Sequence, residues 1–81
     1  MVKVKFTKHA EDMLIERKFT KEYIISVIES PDWKENDEHE NGIWHVFKKI
    51  GEKVLRVVIK GREETYIVVT MFYDKRLRNK R

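Results

Sequence analysis

The 81-residue sequence predicts a single α+β domain in the order β-α-α-β-β-β, with two N-terminal helices packed on one antiparallel sheet. Three observations predict it. Apolar and charged residues alternate at the start, two segments of helical spacing each begin after a threonine, and three β-branched runs are separated by glycine-bearing turns.

Each element has its own local reason. Val2, Val4 and Phe6 alternate with Lys3, Lys5 and Thr7, the period of a strand with one buried face. Thr7 is suited to cap a helix over residues 8–18, in which Ala10, Met13, Leu14 and Arg17 recur at helical spacing and Glu11 and Asp12 face the positive end of the dipole. Thr20 caps a second helix, with Glu22 in its first turn and Phe19 placed to reach Ile24 as a hydrophobic staple. Ile24, Ile25, Val27 and Ile28 form its buried stripe. Ser30-Pro31 ends it, because proline disfavours helical geometry in the preceding residue.

From Asp32 to Gly42 the one large apolar anchor is Trp33, so this stretch reads as a loop. Ile43–Ile50, Val54–Lys60 and Thr65–Tyr73 then read as a three-stranded meander, turned at Gly51-Glu52-Lys53 and at Gly61-Arg62-Glu63-Glu64. In the middle run Arg56, Val58 and Lys60 point away from Leu55, Val57 and Ile59. In the last run strict alternation puts Ile67, Val69, Met71 and Tyr73 on one side.

Composition narrows the function classes. Residues 1–76 form the domain and residues 77–81 a basic tail. A chain this short buries only about 60–65% of its unfolded surface, so a site should be a surface groove rather than a deep cavity. Eighteen Lys and Arg face fourteen Asp and Glu, a formal charge of +4, and the excess is concentrated at the end, from Asp74 to Arg81. Residues 29–42 are the opposite, with six carboxylates against Lys34. A basic end of this kind attracts polyanions. The absence of cysteine excludes a disulfide framework and a thiol nucleophile and makes a cytoplasmic home the expectation. The opening residues contain no apolar run of the kind a signal peptide or a spanning helix requires, so no membrane association is expected.

Neither a glycine-rich phosphate loop nor a Gly-x-Ser-x-Gly elbow is present, which removes P-loop hydrolysis and ordinary acyl transfer. His39, Glu40 and His45 are the nearest approach to a metal set, without a ligand spacing that defines one, so no metal and no cofactor are expected. What the chain has in quantity is Lys, Arg, His and Tyr. Cleavage of RNA through its 2′-hydroxyl needs only a base, cations for the pentacoordinate phosphorus and an acid for the leaving oxygen.

Thr7-Lys8-His9-Ala10 at a helix start, Glu16-Arg17 near its end, Thr20 opening the next helix, Pro31-Asp32 closing it, and a valine-rich meander ending Val-Thr-Met-Phe-Tyr resemble a small prokaryotic family of domains similar to the BrnT and RelE-type toxins of type II toxin–antitoxin modules. The resemblance covers about residues 4–76, and Thr-Lys-His-Ala is its distinctive motif. It implies a metal-independent endoribonuclease, an antitoxin partner that wraps it, and roles for His9, Arg17, Arg56, Thr70 and Tyr73. Not every catalytic residue of the RelE-type enzymes has a counterpart here.

The expected catalytic set is therefore His9, Tyr73 and Arg56. His9 suits base or acid, and equally a surface position near a helix start. Tyr73 suits a proton donor, a base-stacking platform or a core tyrosine with a wet hydroxyl. Arg17, Lys49, Lys60, Lys75 and Arg76 are the expected phosphate-binding groups; of Lys48 and Lys49, on opposite faces, only one can belong to the same site. The expectation is that the first helix, the middle strand and the final segment converge on one cationic hollow. The rival expectation is a non-catalytic module binding RNA or a protein on the same surface, and exposed apolar sheet makes a homodimer a further possibility.

Overall fold

A computed structural model describes residues 3–62 and 64–75. The elements are β1 (Lys3–Phe6), α1 (Lys8–Arg17), α2 (Lys21–Glu29), β2 (Trp33–Asn36), β3 (Ile43–Ile50), β4 (Lys53–Arg62) and β5 (Thr65–Tyr73). They form one five-stranded sheet in the order β1-β5-β4-β3-β2, with β1 parallel to β5 and the other neighbours antiparallel. The predicted α+β architecture is present, but the sheet is mixed rather than antiparallel throughout, because β1 runs parallel to β5, and it has one strand more than the sequence pattern announces.

The helix starts follow the local code. The Thr7 hydroxyl accepts from the Ala10 N–H at 3.0 Å, and that of Thr20 accepts from the Tyr23 N–H at 3.0 Å. Thr7 also ties α1 to the sheet, its hydroxyl donating to the Val69 carbonyl and its N–H to that of Val68, both at 3.1 Å. Ala10, Leu14, Ile24 and Val27 from the helices meet Val46, Leu55, Val57, Ile59, Val68 and Met71 from the sheet in one core. Burying an aliphatic side chain of this size contributes roughly 1.5–3 kcal/mol, and this shared layer is what fixes both helices to a single face of the sheet. Phe19 packs against the same cluster and stacks on Tyr23.

Two further expectations need correction. Residues 33–36 are a strand, where charge and the scarcity of apolar residues predicted loop. Trp33 stacks on Phe47 with ring centroids 4.7 Å apart, and the Lys34 ammonium lies 5.0 Å from the Trp44 ring centre. The backbone bonds Asp32 N–H to Phe47 C=O and Asp37 N–H to Ile43 C=O, each 2.9 Å, bracket the pairing. An edge strand tolerates charged residues because one of its sides faces water, so one aromatic anchor and a long partner suffice.

The second correction concerns β5. Val58 pairs with Thr70 but Ile59 pairs with Val68, so Val69 is an extra residue in the ladder. The bulge inverts the alternation: Tyr66 and Val68, rather than Ile67 and Val69, share the helix-facing side with Met71 and Tyr73. Val68 and Met71 are fully buried in consequence.

The last hairpin depends on Gly61. Its φ is +122°, and a Cβ there would collide with the Thr65 carbonyl oxygen. Gly61→Ala combines an unfavourable backbone region with a backbone clash, each costing on the order of 1–3 kcal/mol. The expected result is a fall in Tm of several degrees, whereas an unchanged Tm would show that the hairpin relaxes around the methyl group.

Candidate functional site

The end of α1, the β3–β4 turn and the end of β5 enclose a hollow of about 530 Å³, lined by Arg17, Glu52, Lys53, Tyr73, Asp74 and Lys75. Arg17 is the last residue of α1. Lys53 opens β4 directly after the tight turn at Gly51 and pairs with Ile50, and Tyr73 closes β5 opposite Leu55. Since Lys53 and Leu55 are two apart in one strand, Lys53 stands on the Tyr73 side, and its ammonium lies 5.0 Å from the Tyr73 ring centre. Asp74 continues the strand through a 2.8 Å bond from its N–H to the Val54 carbonyl.

Charge in the hollow is less balanced than its residue names suggest. Asp74 is 5% exposed and accepts a 2.6 Å bond from the Arg56 guanidinium. That leaves Arg17, Lys53 and Lys75 against Glu52. A hollow of this sign attracts an anion, and Tyr73 places an aromatic ring beside it.

Tyr73 also lines a second, smaller hollow of about 330 Å³, with Lys18, Phe19, Thr20, Tyr23 and Ile50. The Phe19 and Tyr23 rings are stacked at 5.6 Å and 13°, and Tyr73 leans on Phe19 at 6.0 Å and 54°. Burial first, then the nearby Tyr73 and Asp32, raises the Tyr23 phenol above its ordinary 10.0, so it remains a neutral hydroxyl at physiological pH.

Of the residues the sequence singled out, the structure brings Arg17, Tyr73 and Lys75 together in the first hollow. Arg56 stands on the opposite face of the sheet from Tyr73, because Leu55 pairs with Tyr73 and Arg56 with Phe72. Its guanidinium spans Asp74 and the Phe47 ring, 4.9 Å from the ring centre. The strand that was expected to supply Arg56 supplies Lys53 instead. His9 Nε2 lies 3.0 Å from Thr70 Oγ1, joining two residues that the resemblance named, but His9 lines neither hollow. Lys49 and Lys60 are exposed and line neither hollow. Arg76 lies outside the described residues, as does the basic tail.

The histidines of the acidic segment have a structural setting. His45 Nε2 is 2.8 Å from Asp37 Oδ1, while Asp37 Oδ2 accepts from the His39 and Glu40 N–H groups at 3.0 Å each. The His45 bond above all, then the His39 N–H, holds the Asp37 carboxyl below its ordinary 3.8. The described residues contain no group of three or more such side chains placed to hold a metal ion. None of the residues lining either hollow comes from the acidic stretch 29–42.

Sequence reasoning missed Lys53, Glu52, Lys18, Phe19 and Tyr23 as site residues. Glu52 and Lys53 read only as turn, although a two-residue turn with Leu55 inward already puts Lys53 on the core side. Phe19 read as a hydrophobic staple for the second helix and Tyr23 was not singled out, and both pack against the core.

Fold and site together define a small α+β domain with a cationic hollow where the first helix meets the end of its sheet. Its family profile is that of a domain of unknown function, DUF4258, which matches residues 6–73, and the chain belongs to this family. No curated protein and no solved structure matches it.

Proposed function

We propose that the protein binds RNA in the hollow formed by Arg17, Lys53, Tyr73 and Lys75 and cleaves it there as a metal-independent endoribonuclease, the activity implied by its resemblance to BrnT and RelE-type toxins. The observation that supports this most directly is the meeting of three cations, from the end of α1, the start of β4 and the segment after β5, in one hollow with Tyr73. The chemistry asks little more. The 2′-oxygen attacks the adjacent phosphorus as its proton passes to a base, for which Glu52 is the carboxylate in place. The bond to the 5′-oxygen breaks as that oxygen takes a proton from Tyr73, leaving a 2′,3′-cyclic phosphate and a 5′-hydroxyl. Arg17, Lys53 and Lys75 face the charge that builds on phosphorus between these events.

A partner that silences this activity has to occupy or cover the hollow, and an acidic antitoxin segment is complementary to it. Among the described residues no helix is long and apolar enough to cross a membrane. A cytoplasmic setting, where RNA and such a partner meet, belongs to the same proposal.

A second reading, a non-catalytic module that binds RNA or a protein, is favoured by the positions of His9 and Arg56. One is engaged with Thr70 and the other with Asp74, so two of the three residues expected to do chemistry are occupied away from the phenol. Incubating purified protein with RNA in EDTA decides between them. Fragments ending in a cyclic phosphate are expected. RNA binding that weakens steeply with salt, without cutting, selects the RNA-binding module, and partner binding that persists in high salt selects the protein-binding one.

A further inference from the structure

The smaller hollow differs in kind from the first. Three aromatic rings line it together with Ile50, Thr20 and Lys18, and the Lys53 ammonium lies over the shared Tyr73 ring. Its volume of about 330 Å³ is at the low end for ligand pockets and suits one flat heterocycle. Tyr73 belongs to both hollows, so a strand whose phosphate lies among Arg17, Lys53 and Lys75 has an adjoining base next to the stacked rings.

Lys18 borders the same cleft from the end of α1. Among the described residues it is the non-glycine residue with a positive φ, 62°, at the C-cap of α1. Glycine occupies that conformation without steric cost, and a lysine side chain does not. The conformation closes α1, with the Lys18 N–H on the Leu14 and Ile15 carbonyls, and it sets Lys18 on the lining of the cleft.

We propose that this cleft stacks an unpaired base of the RNA strand whose phosphate the first hollow holds, making single-stranded RNA the substrate class. The inference rests on the RNA-binding part of the reading above and not on cleavage. Bases in a duplex are stacked on one another and unavailable to such a cleft, whereas an unpaired base of any identity offers a face to it.

The test uses the full chain and fluorescein-labelled 2′-O-methyl oligouridine, which cannot be cut through its 2′-oxygen, read by fluorescence anisotropy. An abasic oligomer of the same backbone and a duplex of equal length are the comparisons. Oligouridine is expected to bind about 5- to 150-fold more tightly than the abasic strand, the range one stacked base contributes. Tyr23→Leu is expected to erase that difference while leaving abasic binding unchanged. Lys18→Gly, which suits the backbone better, is expected to raise Tm and weaken oligouridine binding, so a folded variant reports even if Tyr23→Leu unfolds. Equal affinity for native and abasic strands, or tighter binding of the duplex, overturns the base cleft. Failure to bind any of the three at low salt removes the RNA reading along with it. Base-dependent binding by a protein that cuts no unmodified RNA upholds the cleft and counts only against the nuclease.

Discussion

Tyr73→Phe is expected to slow RNA cleavage by about 10²- to 10⁴-fold, the usual contribution of one positioned proton-transfer group, while RNA affinity changes little. The substitution removes one hydroxyl and keeps the ring. Lys53 retains its aromatic partner and Phe19 retains its tilted neighbour, so the cationic hollow and the aromatic cleft keep their shape. Single-turnover rates on a labelled RNA, with binding measured alongside, separate the two effects. An unchanged rate would remove the phenol from the chemistry and with it the proton donor of the proposed mechanism. His9→Ala provides the contrast. Its imidazole contacts Thr70 and lines neither hollow, so its loss is expected to leave the cleavage step nearly unaltered. A loss as large as that of Tyr73→Phe would instead bring α1's first turn into the reaction.

Asp74→Ala is expected to destabilise the fold by about 3–5 kcal/mol, the cost of leaving one member of a buried ion pair behind. The Asp74 side chain is 3% exposed and that of Arg56 18%, and they meet at 2.6 Å. Arg56 Nε is itself buried without a hydrogen-bond partner among the described residues, so the guanidinium depends heavily on this carboxylate. Domains of this size are stable by only about 4–12 kcal/mol, which makes the expected loss a large share of the total. Urea midpoints measure it. Replacing both partners, as Arg56→Met with Asp74→Leu, is expected to recover most of the loss, because the penalty comes from the stranded charge and not from the missing attraction. A single-variant loss below about 1 kcal/mol would place the pair with ordinary surface bridges. The pair also bears on the site, since it anchors the segment that carries Tyr73 and Lys75 into the hollow.

The sequence by itself determined the elements whose signals are local. Thr7 and Thr20 cap the two helices as their hydroxyls dictate, Pro31 lies beyond the second, and the first hairpin turns at Gly51, whereas Gly61, expected in the second turn, is still paired with Tyr66 inside β4. It also pointed to Arg17, Tyr73 and Lys75, because a helix end and a strand end are recognisable from nearby residues. Tertiary structure alone decided that Trp33–Asn36 is a strand, since the stabilising groups, Phe47 and Trp44, lie in another element. It decided the faces of β5 as well: one extra residue at Val69, where Thr7 hooks onto the strand, reverses every side chain before it. In the middle strand alternation already put Lys53 on the Leu55 side and Arg56 opposite, and what the fold added was Tyr73 as the neighbour of Leu55. A period of two shows which residues share a side but not which side the helices cover, and only pairing between distant strands settles that.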